Sequence, residues 1–166
     1  LYRYPDREGL AALREMTDGV REAVRLLSPG PGSDFEKFWE ETCRRVDGPS
    51  PEEMESEYVR FFGHTPQGPC PLYGTEYTES EEGLQQPHEL GDIAAFYRAF
   101  GLKPAGSYYE RVDFIAVECE FLSFLCRKLA YAYEVGDARL AEAALEAQKK
   151  FFAEHFGRWV PAFSRH

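Results

Sequence analysis

The 166-residue sequence contains no run of about 18 consecutive apolar residues, so a membrane-spanning helix is not expected. It has no C-x-x-C pair among Cys43, Cys70, Cys119 and Cys126, which argues against a zinc knuckle, a dithiol redox centre or a small disulfide framework. The four thiols read as reduced and mostly buried, Cys119 and Cys126 as helix packing residues. Positive charge is scarce: 19 basic against 29 acidic residues leave a formal charge of −10. An acidic chain repels phosphate backbones and anionic lipid, so nucleic acid and membrane surfaces are poor partners and a cationic partner is electrostatically welcome. The opening residues LYRYPDREGLAAL lack a basic-then-apolar export signature, and the expectation is a cytoplasmic protein.

Motifs of chemistry are equally thin. The four histidines, His64, His88, His155 and His166, close no E-x-x-H pair, and HELGD at 88–92 fails as H-E-x-x-H. His64 and Cys70 stand six apart across two prolines, which matches no common zinc spacing. Gly30 and Gly32 lead to neither a third glycine nor G-K-[ST], and G-x-S-x-G does not occur. No metal, no cofactor and no enzymatic activity is expected. The alternative from another class is a helical thiol- or metal-dependent enzyme built on His64, Cys70 and Glu118.

What the sequence has is helix punctuation and aromatics. Ser33 with Glu36, Ser50 with Glu53 and Ser107 with Glu110 read as S-x-x-E capping boxes, and Pro51 and Pro87 suit a first helical turn. Helices are expected at 6–27, 34–46, 51–62, 87–101, 108–135 and 138–156, with a short tail past Trp159. Breakers lie at SPGPGS (28–33), VDGP (46–49) and GLKPAG (101–106). No strand-like alternation and no internal repeat is present. The fold expected is all-α, a single helical bundle forming one domain over residues 1–166.

Two polar groups point inward on apolar helix faces. Glu118 shares a face with Phe114, Phe121, Leu122 and Leu125, and His155 lies beside Phe151, Phe152 and Trp159. Both are expected to be structural, Glu118 as a carboxylate tied to a neighbour and His155 as a packed, hydrogen-bonded core histidine. The remaining distinctive stretch runs from the end of one helix, EYVRFFGH, into a proline-rich loop. Tyr58, Phe61 and Phe62 lead to Pro69, Pro71, Leu72, Tyr73 and Tyr77, and Glu76, Glu79, Glu81 and Glu82 follow as an acidic fringe. Prolines stiffen such a loop and lower the entropy cost of displaying its apolar groups. This surface suits a peptide that is apolar with basic residues at one end.

Four blocks in order, EYVRFFGH…GPCPLYGTEY, ELGDIAAFYRAFGL, ERVDFIAVECEFLSFL and FFAEHFGRWVPAF, resemble the TorD/NarJ-like chaperones of molybdoenzyme maturation. CPLYGTEY is most similar to the branch serving type II enzymes of the dimethyl sulfoxide reductase family. The resemblance spans roughly residues 50–163 and is weak before that. It implies a cytoplasmic all-helical chaperone whose partners are the catalytic subunit of a molybdenum oxidoreductase and its twin-arginine leader, held until cofactor insertion permits export. The family's Y-x-x-(L/F)-F block falls on Tyr58, Phe61 and Phe62, and its G-P-x-P-x-(Y/W) loop on Gly68, Pro69, Pro71 and Tyr73. Its E-x-P-D-H segment falls on Glu110 to Phe114, where Val112 replaces the proline and Phe114 the histidine. Asp113 remains, with a leader-binding role by resemblance, and the block's downstream acid matches Glu118.

Overall fold

A computed structural model describes residues 6–63, 69–77, 85–103 and 110–165. The described elements are helical, and the only extended pairing among them is one isolated antiparallel bridge, so the all-α expectation is met. None of the described helices is long and apolar enough to cross a membrane. The chain divides into two compact units, Leu1–Thr65 and Pro66–His166.

In the first unit α1 (Arg7–Leu27) begins at Asp6, whose carboxylate accepts from the Gly9 amide at 2.7 Å. Helix α2 (Asp34–Asp47) starts at Ser33, which caps the Glu36 amide. These two helices bury Leu10, Val24 and Cys43. Arg21 fastens them through Asp47 at 2.6 Å, and Arg14 reaches the carbonyls of Val46 and Pro49. Helix α3 (Pro51–Phe62) carries the reciprocal Ser50–Glu53 box with Pro51 in its first turn. It stops at Gly63, whose φ of 66° is a conformation that a side chain disfavours.

In the second unit α4 (Gln85–Ala99), α5 (Ile115–Val135) and α6 (Ala138–Phe151) surround a core of Ile93, Tyr97, Phe121, Leu125 and Phe151. Gly136, at φ 71°, turns α5 into α6, and Asp137 caps the new helix at the Leu140 amide.

Three expected boundaries move. Helix α4 begins at Gln85, so Pro87 sits inside its first turn, where an N–H has no helical partner anyway. The helix expected from 108 begins at Ile115, because the residues just before it are committed to another segment. The Ile115 amide donates to Leu72 and the Gly74 amide to Asp113, both at 2.9 Å, and Tyr73 bridges Phe114. The last helix does not fade before Trp159. It widens into a π turn (Phe152–Phe156) and continues as α7 (Gly157–Phe163). Gly157 permits that turn, since a Cβ there would stand 2.6 Å from the Phe152 carbonyl oxygen. A wide turn shifts the register of everything after it and brings Trp159 inward, where it is 1% exposed.

Candidate functional site

The segment 69–77 is laid along the entrance to α5 and closed upon itself. Cys70 is buried, Pro71, Leu72 and Tyr73 are half-buried, and Gly74–Glu76 make one 3₁₀ turn. Tyr77 folds back so that its hydroxyl donates to the Pro71 carbonyl at 2.7 Å, with the Cys70 sulfur 3.6 Å away. The Tyr73 ring packs on Phe114, centroids 5.5 Å apart.

A buried carboxylate locks this arrangement. Asp113 is 0% exposed. Its Oδ2 accepts from the Thr75 amide (3.0 Å), the Thr75 hydroxyl (2.9 Å) and Arg111 Nη2 (2.8 Å), while Oδ1 accepts from Arg111 Nε (3.0 Å). The Arg111 guanidinium also reaches Glu76 at 3.1 Å and lies over the Tyr73 ring at 4.5 Å, and the Tyr73 hydroxyl donates to Glu110 at 3.4 Å. A charge so enclosed persists only with this many donors.

From below, the loop rests on Trp159. The indole stacks on Tyr77 (5.6 Å, 24°) and donates from Nε1 to Glu118 Oε2 at 3.2 Å. Glu118 is 0% exposed, and its Oε1 has no partner among the described residues. Burial pushes its carboxyl up to about 8, helped by the nearby Asp113 and Glu89 charges and opposed by the indole bond. The protonated acid is therefore favoured at neutral pH.

Gly74 lies against the indole face so closely that a Cβ would meet Trp159 Nε1 at 2.8 Å. The indole is buried and cannot swing aside. Gly74→Ala should destabilise by about 1–3 kcal/mol through overpacking, read as a lowered melting temperature in near-ultraviolet circular dichroism. Gly91→Ala in α4, where a Cβ meets open space, should leave stability unchanged or raised. Equal effects of the two substitutions would refute the close-contact explanation.

The expected site residues fall in two groups. Pro69, Pro71, Leu72, Tyr73, Tyr77, Asp113 and Phe114 are gathered in the second unit. Tyr58, Phe61 and Phe62 form a cluster of their own at the end of α3, with Tyr58 and Phe62 rings 4.9 Å apart. His64, Gly68, Glu79, Glu81, Glu82 and Ser107 lie outside the described residues. Asp113 is not presented to solvent, because Arg111 from the same chain already occupies it; the exposed acid beside it is Glu76.

Glu118, expected to meet an arginine, a tyrosine or a backbone N–H, has the Trp159 indole as its hydrogen-bond partner. His155 is packed between Phe96 and Phe151 but not hydrogen-bonded as expected: neither ring nitrogen has a partner among the described residues. Cys126 is exposed rather than packed, Cys119 is half-buried, and all four cysteines are free. Sequence reasoning passed over Arg111, Thr75 and Gly74. An arginine two residues before an acid, and a hydroxyl next to a glycine in an aromatic loop, were the available signals. The described residues bring no three His, Cys, Asp or Glu side chains together as a metal site.

A family model described as "Nitrate reductase delta subunit" matches residues 28–165. The Chaperone protein TorD of Photobacterium profundum is 26% identical over 113 residues, covering 68% of this chain and 50% of its own length. The Chaperone protein TorD of Vibrio cholerae serotype O1 is 24% identical over 112 residues, covering 68% and 49%. The chain thus spans about half the length of the curated relatives it matches. No solved structure gives a significant match.

Proposed function

Because the chain belongs to the nitrate reductase delta subunit family, we propose that it is a non-enzymatic maturation chaperone, its two units acting as one domain. Its client is the catalytic subunit of a molybdenum oxidoreductase, bound through the twin-arginine leader or the apoprotein in the cytoplasm and held for cofactor insertion before export. The observation that carries this reading is the locked loop. Pro69–Tyr77 is held by two backbone bonds, the Asp113–Thr75–Arg111 network and the Trp159 stack, yet leaves Pro71, Leu72 and Tyr73 partly open. A surface organised before binding loses little entropy when a peptide arrives. Tyr58, Phe61 and Phe62 supply further aromatic area in this proposal, and Glu76 with Glu79, Glu81 and Glu82 supplies the attraction to leader arginines. Phe114 backs Tyr73 from inside, and Asp113 positions the loop.

The thiol- or metal-enzyme alternative gains nothing from the geometry. Cys70 meets the Tyr77 hydroxyl, Glu118 meets the Trp159 indole, and both are buried.

Calorimetry with a twin-arginine leader peptide tests the reading. Tyr73→Ala should weaken binding at least tenfold, about 1.4 kcal/mol, as loss of an aromatic anchor does, with helicity intact. Wild-type affinity in this variant would remove the loop from the site. Binding should weaken with added salt, since exposed acids attract arginines through a screened field.

A further inference from the structure

Along the flank of α4, at the edge of the core where Phe96 and His155 pack on Phe151, lies a groove of about 390 Å³ lined also by residues of α6 and the π turn. Ala95, Phe96 and Ala99 give it apolar surface, and Asp92, Lys150 and Glu154 line it with charge. His155 also lines it, 6% exposed, with both ring nitrogens lacking a partner among the described residues. A neutral imidazole has one donor and one acceptor, and leaving them unmet in a buried place is costly. Such a group, enclosed and facing a groove, calls for a ligand.

The surroundings select the ligand's charge. Asp92 and Glu89 on α4 and Glu154 on the π turn face His155, against Lys150 on α6 and Arg158 on α7. Arg158 is turned to the Glu154 carbonyl at 3.5 Å. Lys150 places its ammonium 5.8 Å from the Phe96 centroid and 4.0 Å from Glu154, while 62% of its side chain stays exposed. A cation over Phe96 beside a carboxylate is therefore an arrangement the groove already supports, with a loosely held internal group that exchanges at little cost. A planar guanidinium does better than an ammonium there. It has a planar face to stack on the ring and five N–H donors for the groups that line the groove, Glu154, His155 and Asp92, the last now 3.3 Å from the exposed His88 imidazole.

We propose that this groove binds a guanidinium group, the arginine side chain of a peptide partner, with Lys150 as its internal stand-in. The inference rests on the chaperone reading only for the source of that arginine. Burial holds the imidazole below its ordinary range, against the pull of Glu89, Glu154 and Asp92, and keeps it an acceptor near neutral pH. Protonation at lower pH would place a like charge beside the guanidinium and expel it.

The test follows the His155 ring signals in long-range ¹H–¹⁵N spectra of the full chain during titration with Nα-acetyl-arginine amide, the citrulline analogue serving as an uncharged isostere. The arginine compound should shift the ring signals saturably and citrulline should not, and affinity should fall as pH drops through the His155 titration. Asp92→Asn combined with Glu154→Gln should weaken binding about tenfold, and Lys150→Ala should strengthen it about threefold. Silent His155 signals, equal response to citrulline, or weaker binding in Lys150→Ala would overturn the proposal. A leader peptide that binds by calorimetry while His155 stays silent sinks the groove and spares the chaperone. Saturable arginine amide binding without leader binding does the reverse.

Discussion

Asp113→Asn should lower the stability of the second unit by about 3 kcal/mol, the scale for breaking a buried, hydrogen-bonded charge pair. The carboxylate is 0% exposed and accepts four hydrogen bonds, two of them from the Arg111 guanidinium. An amide in its place keeps one acceptor and, in either orientation, turns an –NH₂ toward the Arg111 guanidinium, which has no acceptor to receive it. The control is Glu76→Gln. Glu76 also bonds Arg111, at 3.1 Å, but both partners are 38% exposed. An exposed pair contributes about 1 kcal/mol or less, so Glu76→Gln should hardly move the transition. Urea unfolding read by Trp159 fluorescence in a Trp39→Phe background checks both, since the chain has one tryptophan in each unit. If Asp113→Asn leaves the midpoint unchanged but abolishes leader binding, Asp113 is a reader of arginine and not the lock of the loop.

That distinction is one the sequence could not make. The resemblance led to Asp113 and to the loop, and both are neighbours in the fold, but nothing in Glu-Arg-Val-Asp-Phe says that the arginine turns inward upon its own acid. Signals carried by a few adjacent residues were readable: Ser33 and Ser50 start helices where their hydroxyls meet the amides of Glu36 and Glu53. Signals made by distant pairs were not. The start of α5 is set by the pairing of Tyr73 with Phe114, and a helical pattern continuing upstream gave no hint of it. The π turn was hidden for a related reason. FFAEHFG has good helical periodicity, and the widening depends on what Gly157 allows beside Phe152. The polarity pattern did place Glu118 and His155 inside, because an isolated polar residue on an apolar face is visible in one dimension. It could not say that Glu118 would find an indole and His155 no hydrogen-bond partner among the described residues.

Glu118 should leave its mark as a pH slope. Its carboxyl moves from 4.5 to about 8 on folding, chiefly through burial. Below pH 4.5 both the folded and unfolded chains carry this proton, and stability is unaffected by it. Between the two values the folded chain keeps the proton and the unfolded chain has released it. The unfolded state then binds fewer protons, so stability falls as pH rises, until the folded group also ionises above about 8. At about 1.4 kcal/mol per unit, the accumulated loss at the alkaline end is about 5 kcal/mol. His155 acts with the opposite sign: its lowered pKa makes stability rise with pH across a window ending near its ordinary value of 6.5. The wild-type profile alone therefore mixes the two, and the informative quantity is the difference between wild type and Glu118→Gln. Glutamine can still accept the Trp159 N–H but has no proton to lose. Its unfolding free energy should be lower than or equal to wild type near pH 5 and should gain on wild type steadily up to about pH 8. Urea titrations across that range supply the comparison. Parallel profiles would mean that Glu118 ionises normally in the fold, and that the seat beneath Tyr77 and Gly74 holds a charge after all.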